Sequence, residues 1–220
     1  FYRSTPWVWV SDVVVSIEPI GSADVYDLTE PATSHFVANG ILVHNCSEYL
    51  FSDDTACNLA SIRLSAFLRD DGTLDEQALA DCARRWARIL DISVSGARYP
   101  TKLIADRTRA SRTIGLGPMD LGGALIRAGL RYDEDNGRKF AARCMAIIHG
   151  AAGYESEVLA ERMGACDAWH ENKIVFEQVW DVHTRSYIEM FPRESVPYWP
   201  SASGPFRNAQ WTVCAPTGTI

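Results

Sequence analysis

The sequence predicts an α/β protein preceded by a separate all-β segment, and three observations lead to that reading. The first 45 residues are short β-branched runs broken by turn residues. Beyond Phe67 the apolar spacing changes to the 3.6-residue period of helices. Between the two textures stands the decapeptide Val37-Ala-Asn-Gly-Ile-Leu-Val-His-Asn-Cys46, whose last three residues are an unusual end for a strand.

In order along the chain, runs at 8–10, 13–17, 25–29, 35–38 and 41–43 read as strands. They are separated by Ile20-Gly21-Ser22, Pro31-Ala32 and Asn39-Gly40, and Asn-Gly is the strongest two-residue hairpin signal. Thr73-Leu-Asp-Glu76 has the form of a capping box. It opens a helix with Leu79, Cys82, Ala83, Trp86, Ile89 and Leu90 on one face. A short helix is expected over 121–128, ended by Gly129. A longer one begins near Asp133 and carries Phe140, Cys144, Ile147, Ile148, Val158, Leu159 and Met163, with a break around Gly150–Gly153. Another is expected from 171 to 190, stopped by Pro192. Residues 196–205 read as loop and 210–214 as a short strand. Long helices with strands between them place the second part in the α/β class. The Gly-x-Gly at Gly115 and Gly117 lacks the preceding β-rich run of a dinucleotide fingerprint, so these glycines are assigned to packing and helix entry.

Of the 220 residues, 47% are hydrophobic and 22% charged, the balance of a globular domain. A formal charge of −7 without a Lys/Arg-rich run argues against DNA or RNA binding. No apolar stretch approaches the ~20 residues of a membrane span, and no signal peptide opens the chain. The chain is read as a fragment of a longer cytoplasmic protein. Six cysteines without a CxxC pair read as thiols rather than a disulfide framework. Cys82 and Cys144 fall at apolar helix positions and are assigned to the core, whereas Cys46 and Cys57 have small and polar neighbours.

His44-Asn45-Cys46 is suited to cutting a peptide bond. The Asn amide attacks its own carbonyl and forms a succinimide, the His protonates the leaving amine, and the Cys offers a nucleophile. The string from Val13 to Asn45 resembles the C-terminal end of an intein. The resemblance implies that Asn45 cyclises, that His44 and His35 assist it, and that Asp27 tunes Cys46, the first residue after the junction. Residues 1–45 would then be removed by splicing, leaving 46–220.

Cys46-Ser-Glu-Tyr-Leu-Phe-Ser-Asp-Asp-Thr-Ala-Cys57-Asn-Leu-Ala-Ser-Ile-Arg-Leu resembles the active-site stretch of ribonucleotide reductases, closest to the adenosylcobalamin-dependent class. Ile114-Gly-Leu-Gly-Pro-Met-Asp-Leu-Gly-Gly agrees, as does Phe206-Arg-Asn-Ala-Gln running into Ala215-Pro-Thr-Gly-Thr-Ile220. The resemblance covers 46–220 and implies part of a ten-stranded α/β barrel. It places a thiyl radical on Cys46, the general base for the 3′ hydroxyl on Glu48, and one of two reducing cysteines on Cys57. Ala215, Pro216, Thr217, Gly218 and Thr219 would cradle the substrate phosphate, where glycine lets backbone N–H groups converge. The family's Asn two positions before the radical cysteine is replaced here by His44, which an intein at the junction explains.

The implied cofactor is adenosylcobalamin and the implied substrate a ribonucleotide, a diphosphate in particular. Thioredoxin or a similar reductant is the implied partner, with deoxynucleotide effectors binding outside this chain and no membrane involved. Two alternatives stand beside this reading. One is the large subunit of the diferric class. The other is a zinc-binding structural module using His35, His44, Cys46 and Cys57, whose ten-residue gap after Cys46 is not finger spacing.

Overall fold

A computed structural model describes residues 35–38, 41–44, 51–171, 189–201 and 204–215. By its internal contacts the chain divides into two units, Phe1–Cys46 and Ser47–Ile220. In the first, β1 (His35–Ala38) and β2 (Ile41–His44) form an antiparallel ladder. Ala38 pairs with Ile41 and His35 with His44, the register that a two-residue connection at Asn39-Gly40 imposes. The other strands expected before His35 lie outside the described residues.

The second unit is built on two parallel strands, β3 (Asn58–Arg63) and β4 (Ile114–Met119). An extended stretch lies along the other edge of β4. There Ile114 N–H donates to Gln210 O at 2.9 Å, Val213 N–H donates to Leu116 O at 3.2 Å, and Leu116 pairs in parallel with Thr212. Neither β3 nor β4 was expected as a strand. β4 carries two glycines and a proline, and β3 is mostly small and polar. Their pairing to neighbouring chain, rather than local propensity, makes them strands.

Two helices cover one face of these strands. Helix α1 (Glu76–Gly96) packs on β3 and β4, and α4 (Asp135–Met163) packs on β4 and along α1. Leu79, Ala83, Ala87, Leu90 and Val94 form the inner stripe of α1, against Ile147, Ile148, Ala151 and Ala152 of α4 and Ile62, Ile114 and Leu116 of the strands. The expected face of α1 is therefore corrected. Trp86 and Ile89 are 40% and 49% exposed, because alanines rather than large side chains let the two helices approach. The cap also moves. Asp75, not Thr73, accepts from Ala78 N–H at 3.0 Å, while Thr73 bonds to Asp71 and Glu76 receives Arg143 of α4 at 2.6 and 2.8 Å.

Helix α2 (Lys102–Ser111), which sequence patterning missed, starts at Thr101, whose hydroxyl accepts from Ile104 N–H at 3.2 Å. Helix α3 (Leu121–Arg127) falls inside the expected span and ends before Gly129. Helix α4 is unbroken through Gly150 and Gly153, against expectation. A Cβ on Gly150 would lie 2.6 Å from the Trp199 ring and 2.7 Å from Tyr198 O, and one on Gly153 would meet Pro200 and Trp211 at 3.0–3.1 Å. These glycines admit a close neighbour; they do not break the helix. Met163, expected inward, is 60% exposed at its end. Cys144 is fully buried, and burial pushes its thiol up to about 12; Cys82 sits half-buried at the core's edge and is raised for the same reason. Residues 167–171 are helical, and most of the helix expected after them lies outside the described residues.

Candidate functional site

Cys57 stands immediately before β3, and the residues on either side of it are held. Ala56 N–H donates to Thr108 Oγ1 at 2.9 Å, and Thr113 Oγ1 donates to Ala56 O at 2.9 Å. Both threonines are completely buried. On the other side, Asn58 Nδ2 donates to Ser93 Oγ at 2.7 Å, and that hydroxyl donates to Leu90 O at 2.6 Å. The end of α2, the start of β4 and the last turns of α1 thus fix one half-buried cysteine. None of Ser93, Thr108 and Thr113 stood out in the sequence, since nothing local marks a threonine as a clamp for a residue fifty positions away.

Side chains alternate along β4, so Ile114 and Leu116 face the helices while Gly115 and Gly117 face away. A Cβ on Gly115 would lie 2.4 Å from Leu59 Cδ2, 2.9 Å from Val213 Cγ2 and 3.0 Å from Cys57 Sγ. One on Gly117 would lie 2.3 Å from Val213 O. Packing, as expected of these glycines, is what they provide. Cys57 and the stretch leading to Ala215 therefore meet over β4, on the face turned away from α1 and α4.

That stretch is anchored from below. Phe206 is buried against Trp169 and Trp211, with ring centroids 5.2 and 5.0 Å away. Asn208, fully buried, donates from Nδ2 to Asp91 Oδ1 at 3.1 Å and to Arg112 O at 2.9 Å. Arg112 in turn donates to Asp91 Oδ1 at 2.8 Å, to Asp91 O at 2.7 Å and to Ser95 Oγ at 3.2 Å. On the α4 side, His149 Nδ1 is 2.8 Å from Thr212 Oγ1. Ala215 is half-buried at the end of this stretch.

Cys57 and Ala215 are the sequence-predicted reductase residues that the described structure contains. Cys46, Glu48, Pro216, Thr217, Gly218 and Thr219 lie outside it, as do Asp27 and Asn45. For His35 and His44 it gives the strand positions, directly opposite each other across the ladder.

Residues 35–220 match the model of the ribonucleotide reductase barrel domain, and the chain belongs to that family. Its similarity to curated proteins is consistent. It is 37% identical over 187 residues to the vitamin B12-dependent ribonucleotide reductase of Rhodopirellula baltica, covering 80% of this chain and 18% of that protein. It is 35% identical over 193 residues to the enzyme of the same name from Streptomyces clavuligerus, at 80% and 20% coverage. The vitamin B12-dependent ribonucleoside-diphosphate reductase of Mycobacterium tuberculosis is 34% identical over 175 residues, at 80% and 21%. The chain thus spans about a fifth of the length of these relatives. The mixed α/β content of the second unit agrees with the family.

Proposed function

We propose that residues 46–220 are a catalytic piece of an adenosylcobalamin-dependent ribonucleotide reductase, part of a ten-stranded barrel, working on ribonucleoside diphosphates. The observation that carries the reading is the clamped Cys57 on the face of β4 turned away from α1 and α4, with the 211–215 stretch along that strand's other edge. In this reading Cys46, as a thiyl radical, takes the 3′ hydrogen of the ribose and Glu48 takes the 3′ hydroxyl proton. The 2′ hydroxyl leaves as water. Cys57 and a partner cysteine outside this chain supply two electrons and become a disulfide, which thioredoxin or a similar reductant reopens. The phosphate rests on the backbone of 215–219. The relatives' names support the cobalamin requirement, and the Mycobacterium tuberculosis name supports a diphosphate.

Adenosylcobalamin, when bound, supplies the chemistry that generates the radical. Among the described residues, His149 is enclosed beside Trp199 and Trp211 with Nδ1 on Thr212, and His170 is at the surface. The test is Cys57→Ser in the full-length enzyme. Multiple turnovers with thioredoxin should be lost, and retention of more than a few per cent of native turnover removes Cys57 from the reducing pair.

The same proposal assigns residues 1–45 to the C-terminal segment of an intein that cleaves at Asn45 and joins through Cys46. Supporting it are the His44-Asn45-Cys46 chemistry, the cross-strand placement of His35 and His44, and the contact division between Cys46 and Ser47. The family match begins at residue 35, eleven residues before Cys46, so the junction needs its own test. Asn45→Ala in the complete precursor should block release of the downstream protein; normal release, read by mass spectrometry, would refute the assignment.

A further inference from the structure

Cys57 sits between two anchored residues. Its preceding residue is pinned by Thr108 and Thr113 and its following residue by Ser93. The sulfur therefore moves chiefly by rotation about χ1 among the staggered positions. In the position observed, Sγ lies 3.0 Å from where a side chain on Gly115 would begin, tight enough that the sulfur would have to give by a few tenths of an ångström. The second neighbour of that point is Val213 Cγ2 at 2.9 Å. Val213 is β-branched and 5% exposed, so it is stiff and enclosed. Leu59 Cδ2, at 2.4 Å, belongs to a half-exposed side chain that can swing away.

From this we infer that Gly115 is a positioning residue for Cys57: the absence of a side chain there leaves room that its thiol shares with Leu59 and Val213. Gly115 acts by keeping one rotamer of a fixed cysteine open, on the face of β4 that also carries Val213. The inference rests on the reading of Cys57 as a reducing cysteine for its functional meaning, but not for its geometry. Gly117 serves differently, since its missing Cβ clears a backbone oxygen, Val213 O, and any side chain there drives two strands apart.

The test uses Gly115→Ala in the full-length protein, with Cys57 alkylation by iodoacetamide followed by peptide mass spectrometry. Cys82 in the same sample is the internal reference. The Cys57 rate relative to Cys82 should change by about tenfold, the size a displaced sulfur in a packed site implies; a rate within about twofold of native overturns the inference. Adding Leu59→Ala removes the nearest atom. The altered rate should persist, and its return to native would show that Gly115 makes room for Leu59 instead. Should Gly115→Ala prevent folding, Cys57→Ala is combined with it. Deleting the sulfur should restore folding if the collision is with Sγ, and failure to restore it overturns the inference. The outcomes separate the two claims: an altered alkylation rate with a fully active Cys57→Ser enzyme keeps the geometry and discards the reducing role.

Discussion

Asp91 and Glu155 are both carboxylates with almost no solvent exposure, 2% and 0%, yet the protein neutralises them from opposite directions. Asp91 meets partners that are mostly inside: Arg112, whose side chain is 8% exposed, and fully buried Asn208, with the 14% exposed Arg207 Nε farther off at 3.7 Å. Glu155 is reached from the surface. Arg84 and Arg88, 25% and 48% exposed, lean in from α1, with Arg84 donating through Nε at 3.0 Å and Arg88 through Nε at 2.9 Å. Arg84 also lies over the Tyr154 and Tyr198 rings, 4.9 and 4.4 Å from their centroids. The difference is one of dependence. Glu155 has two cations that keep part of their hydration, so either can compensate for the other. Asp91 is the hub of a closed network in which every member desolvates the rest.

The largest expected effect follows from breaking the inner network. Asp91→Ala leaves the buried Arg112 charge without its carboxylate and removes one acceptor of the Asn208 amide, and should cost about 3–5 kcal/mol in urea unfolding. A loss below about 1 kcal/mol would mean that water already reaches the pair. Next is Asn208→Ala, expected to cost about 1–3 kcal/mol, because two buried acceptors lose a donor. In the full-length enzyme this variant should also raise KM more than it lowers kcat, since the stretch from Asn208 to Ala215 carries the proposed phosphate contact; an unchanged KM would detach the network from that stretch. The smallest effect belongs to the outer pair. Arg88→Ala should cost about 0.2–1 kcal/mol, and the difference should shrink further in 1 M salt, about 3 Å of Debye length. A cost near that of Asp91→Ala would erase the contrast.

What could be read from the sequence follows the range of the forces involved. Local signals worked where they were sufficient: the Asn39-Gly40 connection, the end of α3 before Gly129, and the core position of Cys144. They misled where a distant neighbour decides. Gly150 and Gly153 look like helix breakers until Trp199, Pro200 and Trp211 are seen against them. Trp86 and Ile89 look like core until Ala83 and Ala87 take that role. β3 and β4 have too little β-branched character to register as strands, and they form because parallel pairing completes their backbone bonding. The site divides in the same way. Cys57 could be picked out from its motif, but Ser93, Thr108, Thr113 and Gly115, which hold it, come from three other elements. Their contribution exists only after the chain has folded.

The aromatic cover on α4 has a consequence for how the protein is made. His149 and Thr212, which touch across it, are 63 residues apart in sequence. A ribosome therefore releases α4, with its glycine groove and apolar stripe, well before Trp199, Phe206 and Trp211 emerge to sheathe it. During that interval the nascent helix presents sticky surface with no native occupant, the situation that recruits chaperones and invites misassembly. Loops of this span close slowly. Substitutions in 199–211 should therefore show up first as poor yield of soluble protein, before any purified sample reveals a defect.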